Sequence, residues 1–234
     1  MNDPGAARIR EMFTRIARRY DVMNSLMTGG RHHAWRRLAA AAVVGAPPGP
    51  ILDLATGTAD LLVEALGRDA GRRGVGVDLS EQMLRRGAAK LRRRGLDARA
   101  RLIAGDVEAL PLPSASFDAA TIGFGIRNVG DPAAALAEVR RVLRPGGRLV
   151  VLEFSLPPGW RGALYRRYFR GILPRIGALV SGDAAAYSYL PASVERFPAP
   201  EAFAALMERA GFTAVSWSLL TGGIACLHRG EAPA

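Results

Sequence analysis

Short apolar runs alternate along the chain with longer segments whose apolar positions recur every three or four residues. The short runs are Ile51-Leu52-Asp53-Leu54, Val75-Gly76-Val77-Asp78, Ala100 to Ala104, Phe117 to Gly123 and Arg148 to Glu153. Runs of this length, flanked by Gly, Pro or Asp, predict strands covered on both faces. Between them lie helical patterns. One runs from Asp60, placed as an N-cap, to about Arg68. A second is capped by Ser80, carries Gln82 and Met83 in its first turn and stops at Gly95. A third opens on Asp131-Pro132 and shows Leu136, Val139, Val142 and Leu143 on one face. Strict alternation of strand and helix predicts a parallel sheet with helices on both sides. The pattern then changes. Pro200 to Ala210 is a helix stopped by Gly211, and Phe212 to Leu219 and Gly223 to His228 are strands joined by the hairpin turn Thr221-Gly222-Gly223.

Two stretches stand outside this alternation. Ahead of the first strand, Ala6 to Tyr20 places Ile9, Met12, Phe13, Ile16 and Tyr20 at helical steps, and a second helix runs from about His32 to Val43. Pro47-Pro48-Gly49-Pro50 stops it, and both helices are positioned to fold over the open end of the sheet. Pro157 to Pro198 is an insertion rich in arginine and aromatic residues. The fold class is therefore α/β: a seven-stranded, doubly wound Rossmann-like sheet with a closing antiparallel hairpin. The whole chain, 1–234, is expected to be one domain, with a helical segment at 1–46 and a helical cap at 157–198.

The chemistry gathers at the predicted carboxyl ends of the strands, where ligands bind in such sheets. Ile51 to Asp60 reads ILDLATGTAD, a strand breaking into a small-residue turn ahead of a helix. Asp78 ends the second strand, where a carboxylate can take both hydroxyls of a ribose. Asp106 follows the third strand, and Phe124-Gly125-Ile126-Arg127-Asn128-Val129 follows the fourth. The turn lacks the three-glycine spacing that brings backbone against a pyrophosphate. An open turn ringed by acids suits a cation instead, and S-adenosylmethionine is a sulfonium carrying a ribose and an adenine. On that reading Asp78 holds the ribose, and Asp106 holds the exocyclic amine of adenine with Val107 beside it. Met83 lies against the ring, Thr58 meets the polar tail, and Asp53 orients Gly57 and its turn. The plain alternative for Asp53 is a carboxylate that merely ties down the turn.

Composition narrows the class. Apolar residues make up 49% of the chain, enough for a full core. The single cysteine, Cys226, rules out a disulfide framework and fits a reducing compartment. The polar, charged N-terminus and the lack of an apolar run near the roughly 20 residues of a membrane span predict a cytoplasmic chain, at most peripheral at the inner face of the cell membrane. A net charge of +11 invites nucleic acid or an anionic bilayer as partner. Lys90 is the only lysine, however, so a bias toward arginine explains the charge equally well.

Two long motifs carry a narrower resemblance. Tyr20-Asp21-Val22-Met23-Asn24, with Met27-Thr28, His32 and Trp35, is one; Arg141-Val142-Leu143-Arg144-Pro145-Gly146-Gly147-Arg148, running to Leu152-Glu153-Phe154-Ser155, is the other. With Phe124 to Val129 and Leu220-Thr221-Gly222-Gly223-Ile224, they make the chain resemble the menaquinone/ubiquinone biosynthesis C-methyltransferases, a group within the class I S-adenosylmethionine-dependent methyltransferases. The resemblance covers nearly the whole chain. It departs at Thr28, where serine is usual, at Arg144, where lysine is frequent, and at Gly123, where many members have a cofactor-touching serine. Any part played by Gly123 is thus through its backbone.

The resemblance implies methylation of a ring carbon of a polyprenylated quinol, demethylmenaquinol giving menaquinol, with S-adenosylmethionine as co-substrate and no metal. A ubiquinone precursor is the nearest alternative substrate. Arg127 is expected to stabilise the quinolate, Asn128 to orient it and Tyr20, with Asp21, to close over it. The plain alternative for Arg127 is a salt bridge to a helix. Tyr187 and Tyr189 either line the ring pocket or pack the cap. In the insertion, Arg161, Arg166, Arg167, Arg170 and Arg175 among aromatics suit peripheral contact with a membrane surface that holds the prenyl tail, or else a solvated capping face. A homodimer is compatible with this reading. A nucleic-acid partner is not expected, because the loop after the fourth strand is not the Asn/Asp-Pro-Pro-aromatic stretch of amine-methylating enzymes and no RNA-binding module is appended. An RNA methyltransferase is the rival from another class, and a binding module that no longer catalyses is a third.

Overall fold

The computed structural model describes residues 28–160 and 191–234, together with isolated positions at 11, 25, 162, 165, 167 and 171. The predicted first helix, Tyr20 and Asp21, Tyr187 and Tyr189, and Arg161, Arg166, Arg170 and Arg175 lie outside the described residues.

The sheet is built from strands that alternate faces. β1 (Ile51–Leu54) is buried throughout. It pairs in parallel with β2 (Gly74–Asp78) on one side and β4 (Phe117–Gly123) on the other, while β3 (Ala100–Ala104) lies beyond β2. β5 (Leu143–Phe154) runs parallel to β4. β7 (Ala225–Glu231) pairs antiparallel with both β5 and β6 (Thr213–Leu220), which completes the order β3-β2-β1-β4-β5-β7-β6. Chain direction away from the centre reverses between β1 and β4, the point at which a crevice opens at the carboxyl ends of the strands. The expected hairpin joins β6 and β7 through one turn of 3-10 helix, Thr221–Gly223.

Period-two burial divides the core between the two faces. Leu52, Leu54, Ala120, Ile122, Leu149 and Val151 pack on one side against α4 (Pro132–Val142) and α5 (Pro200–Arg209). Ile51, Ala119, Val150 and Leu152 pack on the other against α1 (Arg31–Val44) and α2 (Asp60–Arg68). α1 turns His32, Trp35, Arg36, Ala39, Ala40 and Val43 inward, the spacing of a single helical stripe. α3 (Glu81–Arg93) covers β2 and β3, with Ser80 Oγ accepting from the Met83 amide at its start.

Two boundaries differ from expectation. Asp60 is not the N-cap of α2. That position is held by Ala59 in the left-handed region (φ 61°), with no side-chain cap, and Asp60 is the first helical residue. Its carboxylate is drawn instead into ion pairs with distant cations. β5 begins at Leu143 rather than Arg148, because Leu143 pairs with Phe117 ahead of a register shift and Gly146 and Gly147 exchange backbone bonds with Ala232.

Candidate functional site

Asp53 anchors the turn after β1 from below. It is 1% exposed; Thr121 of β4 donates to its Oδ1 at 2.6 Å and Thr56 donates to its Oδ2 at 2.5 Å. The parallel register sets Asp53 beside Thr121, so one carboxylate ties the turn to both central strands. Burial pushes its carboxyl up to about 6, against the lowering effect of those two hydroxyl bonds. The turn closes tightly: the Thr56 amide donates to Val77 O at 3.0 Å, and Ala55 and Gly57 both take positive φ (49° and 55°). A Cβ on Gly57 would meet nothing within 4 Å, so the turn presents open space above its backbone. Neighbouring glycines do the opposite. A Cβ on Gly125 would lie 2.5 Å from Ala55 Cβ, and one on Gly76 would lie 2.6 Å from Leu102.

Asp78 reaches the same turn from β2. Its Oδ2 accepts from the Gly57 amide and its Oδ1 from the Ser80 amide, both at 2.8 Å. Each oxygen thereby spends one lone pair on the protein and keeps a second for a ligand, the capacity needed for two adjacent hydroxyls. Burial pushes this carboxyl up, opposed by the Ser80 and Gly57 amide bonds. Beyond it, Asp106 Oδ1 accepts from the Glu108 amide at 3.0 Å in a tight bridge to Ala109, while Val107 and Met83 are buried at 7% and 2% exposure.

On the other side of Gly57 the turn meets a charged cluster. A pocket is lined there by Arg36, Asp53, Ala55, Thr56, Gly57, Thr58, Asp60, Leu61 and Gly123. Arg36, from α1, pairs with Asp60 Oδ2 at 2.7 Å. Lys90, from the last turn of α3, pairs with Asp60 Oδ1 and donates to Thr58 Oγ1 at 2.9 Å. Gly123 lines the same pocket, and a Cβ there would lie 3.0 Å from Leu61 Cδ2, the end of a side chain that would have to shift slightly.

The loop after β4 carries a second buried charge. Arg127 NH1 pairs with Glu153 Oε1 on β5 and donates to Phe124 O, both at 2.6 Å. Its side chain is 5% exposed and that of Glu153 is 1% exposed. Glu153 also accepts from the Phe154 and Arg127 amides, and burial pushes its carboxyl up despite the arginine beside it. The guanidinium lies 5.3 Å from the Phe154 ring centroid, and its Nε is buried with no partner among the described residues. Phe124 adopts φ 57° and stacks 4.5 Å from Phe154, while Trp35 of α1 donates to Thr221 Oγ1 and closes the aromatic cluster. The arginine's salt bridge is therefore to a strand and not to a helix. His32 shares a 2.7 Å hydrogen bond with Thr28 and is 2% exposed.

Gly57, Thr58, Asp53 and Gly123 thus surround one pocket, and Asp78 joins it through Gly57. Asp106 and Val107 follow β3, and Met83 lies in the first turn of α3; none of the three lines that pocket. Arg127 and Asn128 form the 3-10 turn at the end of β4. Arg36, Asp60, Lys90 and Glu153 belong to this arrangement, yet sequence reasoning passed over their contacts. Asp60 reads as a cap because an acid precedes an apolar run. Its true partners lie far away in the chain, and only the lone lysine offered a signal.

Comparison with known proteins agrees with the geometry. The model of the ubiE/COQ5 methyltransferase family matches residues 1–232. A protein of Thermus thermophilus named demethylmenaquinone methyltransferase is 49% identical over 95% of this chain and 100% of its own length. One of the same name from Deinococcus radiodurans is 47% identical over 98% and 94%. A ubiquinone/menaquinone biosynthesis C-methyltransferase UbiE of Methylobacterium nodulans is 46% identical over 97% and 92%. Among solved structures, the [4+2]-cyclase SpnF superposes with TM-score 0.73 at 16% identity, covering 98% of this chain and 96% of its own. A SAM-dependent methyltransferase of Thermotoga maritima gives 0.63 at 22% identity, covering 96% and 99%. A backbone shared with a cyclase establishes the fold and leaves the reaction to the site and to the close relatives. The chain belongs to the ubiE/COQ5 methyltransferase family.

Proposed function

We propose that the protein transfers the methyl group of S-adenosylmethionine to a ring carbon of demethylmenaquinol, giving menaquinol. The observation that carries this reading is 47% to 49% identity over nearly the whole chain to relatives named for that substrate, in a chain whose Asp78 keeps a free lone pair on each oxygen beside an open turn. Bound S-adenosylmethionine supplies a methyl group made electrophilic by the sulfonium. Asp78 holds the ribose hydroxyls, Asp106 the adenine amine, and Val107 and Met83 the faces of the ring. Gly57, Thr58 and the Gly123 backbone enclose the tail over Asp53. Arg127 stabilises the quinolate through its guanidinium, and Asn128 and Tyr20 orient and cover the ring. The ring carbon beside the quinolate oxygen attacks the methyl in line. The S–CH3 bonding pair stays on sulfur, and loss of the ring proton restores aromaticity. The protein's main contribution is alignment, which can supply several kcal/mol of the barrier.

A polyprenylated quinol with a methoxylated ring, on the route to ubiquinone, is the second reading, favoured by the name of the Methylobacterium relative. Peripheral contact with the bilayer fits the tail of either substrate. Trp160, 73% exposed at the entrance to the insertion, and the exposed Arg167 support it. Among the described residues no helix is long and apolar enough to cross a membrane.

Incubation with S-adenosylmethionine and reduced demethylmenaquinone is expected to raise the quinone mass by one methylene. No transfer to the quinol, with transfer to RNA instead, overturns the reading. Asp78→Ala is expected to weaken S-adenosylmethionine by roughly 1.5–3 kcal/mol, the cost of losing charge-assisted bonds to the ribose. Unchanged affinity in titration calorimetry removes Asp78 from the cofactor site.

A further inference from the structure

Lys90 is the only lysine in the chain, in a sequence that uses arginine at its other strongly basic positions. The two side chains differ in shape. Guanidinium is a planar fork suited to one carboxylate, whereas an ammonium is a compact point donor on a narrow stem. At residue 90 the second shape is the one that fits. The Nζ sits between two acceptors on adjoining elements: Thr58 Oγ1 on the turn, at 2.9 Å, and Asp60 Oδ1 at the start of α2. Access is narrow, because α3 lies close against the turn. A Cβ on Gly87, one helical turn before Lys90, would come within 3.3 Å of the Thr58 carbonyl carbon and 3.2 Å of Ala59 Cβ.

Thr58, Asp60 and Arg36 all line the pocket beside Gly57, and Lys90 is not among its lining residues. Arg36 holds the other oxygen of Asp60 at 2.7 Å. One carboxylate is therefore fixed by two cations from α1 and α3, and the three side chains together carry one net positive charge. An ammonium has donors only, so Thr58 Oγ1 is the acceptor in their bond and its own hydrogen is directed away from Lys90. Asp78 reaches the turn at the Gly57 amide and does not line the pocket, so with the ribose on Asp78 the ligand segment over Thr58 and Asp60 is the one remote from it.

We infer that Lys90 is a positioning residue for the methionyl end of S-adenosylmethionine: its ammonium locks Thr58 and Asp60 in place so that the pocket wall is formed before the donor arrives. The inference rests on the donor occupying this turn. Preorganisation of this kind acts on binding, so its loss falls on affinity and on KM for the donor more than on kcat.

The test reads S-adenosylhomocysteine binding by calorimetry. Lys90→Met, which keeps the stem and removes the charge, is expected to weaken binding about 10–30-fold, as for loss of charge-assisted hydrogen bonds. Lys90→Arg recovers part of that loss, because it keeps the charge toward Asp60. A second measurement does not depend on folding a variant. The folded wild-type protein is treated with an acetylating reagent, and acetylation at its lone lysine is verified by mass. It is expected to lose affinity as Lys90→Met does. Lys90→Arg treated in the same way controls for the α-amino group and is expected to keep the affinity it had before treatment. Acetyl-Lys90 protein or Lys90→Met binding within twofold of wild type overturns the inference, and so does a lowered melting temperature with affinity intact. Wild-type protein that fails to bind S-adenosylhomocysteine overturns instead the placement of the donor in this turn.

Discussion

Glu153→Ala is expected to destabilise the protein by about 3–5 kcal/mol, the usual cost of stranding one member of a buried ion pair. The Arg127 guanidinium is 5% exposed and would lose its carboxylate, and the Phe154 and Arg127 amides would lose the acceptor they share. For a chain of this length that loss corresponds to a fall of about 10 °C in melting temperature. Glu153→Gln keeps an oxygen for these donors and is expected to cost less than half as much. Denaturant unfolding of the two variants at pH 7 measures the difference. An alanine variant within 1 kcal/mol of wild type would show that the pair contributes nothing beyond its own desolvation. The same change also bears on chemistry. With the Glu153 carboxylate gone, the guanidinium at the end of β4 keeps only Phe124 O and the Phe154 ring, so turnover is expected to fall in both variants and further in the alanine one.

The strands were legible because a short apolar run between turn residues leaves a plain mark: β2, β3 and β4 run from Gly74, Ala100 and Phe117 to the residues where the apolar runs end. Asp78 was legible for the same reason, since an acid closing such a run has few structural uses. The bends at the site were not. Ala55, Ala59, Phe124 and Thr221 all take positive φ, a conformation worth avoiding by about 1 kcal/mol or more for a residue with a Cβ, and none is a residue type that announces it. What holds them is tertiary: the Phe124 amide donates to Leu152 O at 2.7 Å, and Trp35 clamps Thr221 from α1. The Arg127–Glu153 pair was hidden by distance, its partners 26 residues apart on separate elements.

The excess of arginine reads differently once its partners are known. Arg72 donates to the carbonyls of Val44 and Ala46, which close the C-terminus of α1. Arg99 bonds the carbonyls of Leu66, Asp69, Ala70 and Arg72, fastening the loop between α2 and β2. Arg141 spans Glu138 and the carbonyls of Leu110 and Leu112, and Arg148 reaches Ala42 O and Glu231. These guanidinium groups serve as caps for carbonyls at the ends of helices and loops, a task their multiple donors suit. These four arginines are therefore committed to the protein's own backbone carbonyls and carboxylates.

Asp53→Asn is expected to flatten the pH dependence of stability by about 3 kcal/mol. Asp53 has its carboxyl raised from 3.8 to about 6 in the folded protein. An acid raised on folding binds its proton more tightly in the native state, so its contribution to stability is fully present below about pH 4 and is lost as pH rises through 6. The gap of about two between the values sets the 3 kcal/mol. The amide of asparagine can still accept from one of the two threonine hydroxyls, which are free to rotate, while carrying no charge to desolvate. Unfolding measured at pH 4 and at pH 7.5 is expected to show the variant gaining on wild type by that amount; parallel pH profiles would place the native carboxyl at its ordinary value. The same carboxyl couples to the ligand. A cationic donor over the turn favours the ionised form, so S-adenosylmethionine is expected to bind roughly fivefold more tightly at pH 7 than at pH 5, a dependence that Asp53→Asn reduces to the part set by Asp78, whose carboxyl burial also raises. Affinity that is level across that range in the wild type would mean that the positive centre lies too far from Asp53 to sense it. The charge under the turn would then serve only Thr56 and Thr121.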